Sequence, residues 1–505
     1  MMRIGLGHKH ALLVAIGILG LTLSAGPGPA QAESSANSNA RIGYPVFKGL
    51  AKPVPDTGAT FVPGGHLAKI FAADQARGAG RVPGDDFWID RVFAREGSAG
   101  GFGDDNNWLF TRGRPAYLYT HKPGEPGFVG EAAYWHKTGH DALFRLRIEQ
   151  DGKALELREL AAQRRQTPSY FSGVYEDAAA GVRLHLTKFI TRENVAVANA
   201  VLSSTDGKAR TLTLKAWSPM ATHADGDELT GAFAARNDIT TVFPRLSGDG
   251  FKVDGAAIVR GVRVPAGGAA PAVKVQLGLV AREIPASLDE YRRTVAQTPQ
   301  QAYSRHVTDY NRWWVDNIPW LDTPEDNIDK TLFYRWWLLR FNSLDADVPG
   351  NDYQFPVAIE GVLGYNNAIV LTTCMFIDDL KYLRDPTYAY GSWIGAGEVA
   401  AGGKYVDNPG SPENWSNSYA QYITAAAWRS YQVHGGPAAI AAKLARYGRD
   451  DVDGLLKAYD RNGNGLIEYD WAAMTGNDAD AVSFDWAKRH GMARMDRTGS
   501  AYVYA

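Results

Sequence analysis

Ser287-Leu288-Asp289-Glu290-Tyr291 is where the hydropathy pattern of this chain changes. Before it, short runs alternate apolar and polar residues: Ala116-Tyr117-Leu118-Tyr119, Leu143-Phe144-Arg145-Leu146-Arg147-Ile148, Val182-Arg183-Leu184-His185-Leu186 and Val273-Lys274-Val275-Gln276-Leu277. Successive side chains of a strand point to opposite faces, so this period of two, punctuated by Gly, Asp and Pro, predicts antiparallel strands with one buried face. From Ser287 onward apolar residues recur at helical spacing. The pentapeptide itself has the form of a capped helix start, 303–314 continues a helical linker, and Thr323-Pro324-Glu325-Asp326 opens a helix over 328–344. Further helices are predicted over 368–383, 391–400, 416–433 and 438–459, with Asn, Asp, Gly and Pro in the loops between them. The expected fold is multidomain α and β: an antiparallel β-sandwich over 85–285, a helical linker over 286–324 and the first part of an α/α barrel over 325–505. Helix, loop, helix in repetition gathers the loops at one rim, where a site can form.

The first residues carry Arg3 and Lys9, an apolar run over 11–23 and Ala30-Gln31-Ala32, the pattern of a cleaved secretory signal over 1–32. The apolar run is shorter than the ~20 residues a membrane span needs. Export to the extracellular side is therefore expected, with 33–84 an extended leader. A net charge of −2 offers no electrostatic footprint for nucleic acid or an anionic membrane. With Cys374 as the single cysteine, an intramolecular disulfide is excluded, and the core must hold the fold, with a metal as a possible aid. The 14 Trp and 24 Tyr point to sugars, because aromatic faces stack on the C–H faces of sugar rings, although core filling accounts for most single rings.

Asp460-Arg461-Asn462-Gly463-Asn464-Gly465-Leu466-Ile467-Glu468 places oxygen-bearing side chains at alternate positions and Gly at the sixth, which is the first half of a calcium loop. Trp471 stands where an EF-hand has its bidentate Glu, so this is not an EF-hand. The expected ligands are the side chains of Asp460, Asn462, Asn464 and Glu468 and the Leu466 carbonyl; a plain Asn/Gly turn is the alternative. Beyond it lies Met474-Thr475-Gly476-Asn477-Asp478-Ala479-Asp480-Ala481-Val482-Ser483-Phe484. An acid in such a loop serves as a general acid when its pKa is raised enough to keep it protonated, whereas Asp480 is well placed to cap a helix.

The calcium-like segment, the short spacer and the small-Gly-x-Asp loop ending in Phe484 together resemble glycoside hydrolase family 63 and its clan G relatives, including mannosylglycerate-hydrolase-like domains. The resemblance covers about 325–505 and is strongest over 459–486. It implies an (α/α)6 catalytic barrel preceded by a β-sandwich, and hydrolysis of α-linked sugars with inversion. It also implies that Asp478 is the general acid, although Thr475, Asn477 and Ala479 depart from the family's loop. Under it, Phe355-Pro356-Val357-Ala358-Ile359-Glu360-Gly361 and Gly364-Tyr365-Asn366-Asn367 line the sugar pocket, so Glu360 and Asn367 are expected to bind hydroxyls, with helix capping the other reading for Asn366 and Asn367. Pro409-Gly410-Ser411-Pro412-Glu413-Asn414-Trp415 is a second rim loop, with Trp415 as a stacking platform.

An inverting enzyme needs a base about 6.5–9.5 Å from its acid. In clan G that base is a Glu from the C-terminal part of the barrel, and only about half the helices of such a barrel are legible here. The expectation is a truncated chain with little activity. Two other classes stay open: a non-catalytic carbohydrate-binding surface protein whose β domain does the work, and a polysaccharide lyase on an α/α toroid.

Overall fold

A computed structural model describes residues 95–96, 115–134, 136–167, 169–235, 240–282, 284, 286–318, 323–344, 357–360, 368–407, 421–460, 462–465 and 467. The longer strands are β1 (Ala116–His121), β2 (Gly127–Tyr134), β3 (Ala142–Gln150), β4 (Phe171–Asp177), β5 (Val182–Ile190), β6 (Val195–Ser204), β7 (Arg210–Trp217), β8 (Thr240–Gly248), β9 (Ala257–Val264) and β10 (Val273–Ala281). Among the described residues they form two antiparallel sheets. One is eleven-stranded, with its long strands ordered β4-β5-β6-β10-β8; the other is eight-stranded and runs β9-β7-β3-β2-β1. Their inner faces share one core, to which Leu184, Leu186 and Leu277 contribute from the first sheet and Phe128, Phe144, Leu214 and Ile258 from the second. The alternation read from the sequence is this inward face. The β5–β6 turn is made by Asn194 at φ 65, and its Oδ1 accepts the Ala116 N–H at 3.3 Å.

One expectation changes. Strand β10 is buried on both faces, and the polar members of its alternation, Lys274 and Gln276, are as buried as the apolar ones. Their face is covered by two helices, α1 (Ala286–Ala296) and α2 (Pro299–Asn317), which pack with Tyr170, Phe189 and Val197 around Tyr291, Ala302 and Val307. Lys274 Nζ donates to Asp249 Oδ1 at 2.9 Å and to the Gln297 carbonyl, Gln276 Nε2 donates to Ser247 Oγ at 2.6 Å, and Tyr291 Oη donates to the same Ser247 oxygen at 2.6 Å. Polar residues in a strand pattern thus lie under a helix layer, where Lys274 bonds the Gln297 carbonyl between the two helices and Gln276 bonds Ser247 of the neighbouring strand β8.

The capping box also moves. Ser287 lies inside the first turn of α1, donating to the Ile284 carbonyl at 2.6 Å, and Glu290 instead takes a bidentate hold on Arg305 at 2.8 and 2.9 Å. The reciprocal box belongs to α2, where Thr298 Oγ1 accepts the Gln301 N–H at 3.2 Å and Gln301 Oε1 accepts the Thr298 N–H at 3.0 Å, with Pro299 in the first turn.

The later helices are α3 (Asp326–Asn342), α4 (Val370–Leu380), α5 (Thr387–Glu398), α6 (Ile423–His434) and α7 (Ala438–Tyr459). An aromatic core of Trp314, Phe333, Trp336, Trp337 and Phe341 joins α2 and α3 to Tyr117 and Ala133 of the second sheet. A separate core around Ile377, Tyr390, Trp393 and Ile440 joins α4 to α7. No described helix is long and apolar enough to cross a membrane.

One end of the sandwich holds a buried polar cluster. Lys188 occupies an inward position of β5, and its Nζ donates to the Gly127 carbonyl at 2.7 Å, meets His121 Nε2 at 2.9 Å and lies 4.5 Å from the centre of the Phe171 ring. Beside it Arg164 and Glu159 form a buried ion pair. Burial pushes the Lys188 amine down to about 7 and, with the help of Lys188, holds His121 well below the usual imidazole value. A lysine of the unfolded chain titrates near 10.4, so between about pH 7 and 10 the unfolded state binds a proton that the folded state does not, and stability from this group rises with pH across that window. The thermal midpoint is expected to rise between about pH 7 and 9 and to lose much of that slope in Lys188→Met. Equal slopes for the two proteins in a melting series would exclude this role for Lys188.

Candidate active site

The chain reaches the seam between sheets and helices through a short antiparallel pair, β11 (Ser343–Leu344) with β12 (Val357–Ala358). Val357 and Ile359 turn into the sandwich core and Ala358 into the aromatic core, so the period of two here buries both faces. The Ile359 N–H bonds to the Asn342 carbonyl at 3.0 Å and the Ala358 N–H to Ser392 Oγ at 3.3 Å. This anchored segment delivers Glu360, the first exposed residue after it. Burial of part of its surroundings pushes the Glu360 carboxyl upward.

A second acid stands close enough to feel its charge. The segment ending in Asp407 turns at Gly402 and Gly403, both at positive φ, and passes tightly against α7: a Cβ on Gly403 would lie 2.4 Å from the Asp450 carbonyl oxygen, and one on Gly454 would lie 2.6 Å from the Gly402 oxygen. Only glycine permits both the turn and the approach. On α7, Asp451 accepts the Tyr405 N–H at 2.8 Å with one oxygen and Gln421 Nε2 at 2.8 Å with the other. Burial outweighs these bonds and the Lys404 charge and raises the Asp451 carboxyl to about 6. Asp451 therefore fixes residues on both flanks of 408–420.

Asp407 is fully buried. Its Oδ1 accepts the Val370 N–H at 3.0 Å in the first turn of α4, and its Oδ2 has no hydrogen-bond partner among the described residues. Burial raises its carboxyl to about 7, the Val370 bond opposes that rise, and the charge of Glu360 adds to it. Two carboxyls sharing one site cannot both ionise cheaply, so the buried one keeps its proton near neutral pH and the exposed one carries the charge. The arrangement can bind hydroxyls and hold or move one proton.

Of the residues expected from the sequence, Glu360 thus sits beside an acid that the sequence did not single out. Asp407 carried one signal, its place just before the 409–415 loop. Asn367, Trp415, Leu466, Glu468, Asp478 and Asp480 lie outside the described residues. In the calcium-like loop, Asp460 accepts the Asn464 N–H at 2.9 Å and the Gly465 N–H at 2.9 Å, and Asn462 Oδ1 accepts the Asn464 N–H at 3.1 Å. Gly463 and Gly465 take positive φ, and Ile467 packs on Leu455 to fasten the loop to α7. Just ahead of α5, Asp385 Oδ1 accepts the Thr387 N–H at 2.9 Å.

No protein-family model matches the chain. Solved structures that resemble it include a chain designated a kojibiose phosphorylase, from the human microbiome, at 7% identity and TM-score 0.41, covering 60% of this chain and 48% of that one. A bacterial glucoamylase in complex with acarbose matches at 12% identity and TM-score 0.40, covering 79% and 67%. A family GH92 α-mannosidase from Bacteroides thetaiotaomicron matches at 9% identity and TM-score 0.39, covering 72% and 56%. The chain thus spans between about half and two thirds of the lengths of these sugar-active proteins. A likeness of this degree assigns neither fold nor activity.

Proposed function

We propose that this chain is a secreted glycoside hydrolase acting on α-linked sugars, with its helices belonging to an (α/α)6 barrel. The observation that carries the proposal is the Glu360–Asp407 pair, an exposed carboxylate and a buried proton-holding carboxyl, each at the foot of a loop expected to line a sugar pocket. Glu360 binds sugar hydroxyls as a charged acceptor, and Asp407, by staying protonated, lets it keep that charge. Asn367 and Trp415 complete the pocket on the resemblance to family 63. Asp478 is the general acid that protonates the leaving oxygen, in an inverting mechanism in which a second carboxylate activates water. The test is turnover of α-linked gluco- and manno-disaccharides by the purified chain beside its Asp478→Asn variant. Turnover that survives Asp478→Asn, or no turnover at all, sinks the proposal, and sugar binding without turnover points to a binding protein instead.

The loop from Asp460 is proposed to hold calcium structurally, through hard oxygen donors that suit this ion: Asp460, Asn462, Asn464, Glu468 and the Leu466 carbonyl. The ion supplies cross-linking of the loop beyond α7 and no chemistry in turnover. Because a ligand held only by the folded state stabilises it by mass action, added calcium is expected to raise the thermal midpoint and a chelator to lower it. An unmoved midpoint in both titrations, with no calcium found in the purified protein by elemental analysis, excludes the site.

A further inference from the structure

The second sheet turns a row of cations away from the core. In its register Lys215 of β7 stands opposite Arg147 of β3 on one side and Val259 of β9 on the other, and Val259 stands opposite Lys252 of a short strand, Lys252–Asp254. Trp217 follows two residues along β7, opposite Arg145, and Arg263 shares the side of Val259 further along β9. Arg147 and Arg263 are exposed and Thr213, Lys215 and Trp217 half-buried, while the alternate residues Ile148, Leu212, Leu214 and Val262 fill the core. At Gly261, between Val259 and Arg263, an added Cβ would meet nothing within 4 Å, so the face is open there.

Like charges directly opposite each other in adjacent strands repel, and protection of a sheet edge does not account for these, because β3 and β7 each have a strand on both sides. Two of the cations are neutralised in place: Arg145 is held by Glu125 and Asp141 at 2.7 and 2.6 Å, and Lys252 by Asp227 at 2.5 Å. Lys215 and Arg263 make no ion pair or side-chain hydrogen bond among the described residues. Arg147 Nε stands 3.7 Å from Glu149 Oε1, too far for a hydrogen bond. Its guanidinium carbon instead lies 5.0 Å from the centre of the Trp217 ring, a contact that holds the group in position and leaves its N–H edge unused.

We propose that this face, centred on Arg147, Lys215 and Trp217, docks an acidic polysaccharide. Carboxylates of the sugar chain pair with the guanidinium edge of Arg147, with Lys215 and with Arg263, and a sugar ring packs its C–H face on Trp217 beside the Thr213 hydroxyl. Charge complementarity selects an anionic occupant. Neighbouring strands lie about 4.8 Å apart, so the cations form a flat, spread array that suits an extended chain carrying repeated carboxylates rather than one small anion. A net charge of −2 over the whole chain provides none of the broad positive field that nucleic acid requires. The face is separate from Glu360 and Asp407, and the inference does not rest on the proposed hydrolase activity.

The experiment measures binding of the purified chain to polygalacturonate and, separately, to alginate by affinity electrophoresis and calorimetry at fixed ionic strength. Fully methyl-esterified polygalacturonate, with the same backbone and no charge, is the control. Saturable binding of at least one acidic chain, weakened by added salt and absent for the ester, is expected. Lys215→Glu should weaken it about tenfold or more, and Trp217→Ala by a similar factor, since the ring both stacks and positions Arg147. Lys457→Glu makes the same change of net charge on α7 and should leave the affinity unaltered. No saturable binding of either acidic chain overturns the proposal, and so does equal binding of the ester or of a single-stranded oligonucleotide. Equal losses in Lys215→Glu and Lys457→Glu, or unchanged affinity in a Lys215→Glu or Arg147→Gln protein with native circular dichroism, overturn it as well.

Discussion

Glu360→Gln should cut kcat/KM on an α-linked substrate by roughly 10- to 100-fold, since a hydrogen bond to a charged acceptor contributes about 1.5–3 kcal/mol. The thermal midpoint should barely move, because Glu360 is exposed and its backbone stays anchored through Ile359 and Ala358. Asp407→Asn should behave differently. Asn keeps the shape of a protonated carboxyl, so activity below about pH 6 should be close to that of the unaltered protein. Above pH 7, where Asp407 ionises beside Glu360, the unaltered protein should decline on a limb that the Asn variant lacks. The sign follows from the raised pKa, which means the protonated form is the one compatible with the Glu360 charge. Identical pH profiles for the two proteins, or full activity in Glu360→Gln, would remove the pair from the site.

Glu159→Ala should cost about 3–5 kcal/mol of folding stability in urea titration, the range for removing one partner of a buried ion pair. Arg164 and Glu159 are only 7% and 6% exposed and bond through two N–H···O contacts of 2.8 and 2.5 Å. The loss reaches further than the pair, because Glu159 also supports the charged form of Lys188, and Arg164 opposes it. Without the carboxylate, a guanidinium is left among Lys188 and His121 in a place water does not reach. The surface pair Arg145–Asp141, at 2.6 Å with Asp141 74% exposed, is the contrast. Asp141→Ala should cost less than about 1 kcal/mol, since solvent screens such pairs. Equal costs at the two sites would show that burial does not set the energetics of this cluster.

What the sequence by itself determined is local. The inward face of the sandwich was legible from Val182-Arg183-Leu184-His185-Leu186, and α7 was read over 438–459 as the structure has it, because strand and helix periods are properties of the backbone and appear in any short window. Glu360 became a site candidate through the resemblance to family 63. Tertiary structure alone decided the rest. Lys274 and Gln276 read as a solvent face until α1 and α2 were seen to cover it, and Lys188 reads as a surface residue until its place in the register turns it inward. Asp407 comes within electrostatic reach of Glu360 where Gly403 and Gly454 let its segment lie against α7. A pKa near 7 for an aspartate has no local signature, since desolvation and the approach of a second charge exist only once distant segments have packed and excluded water.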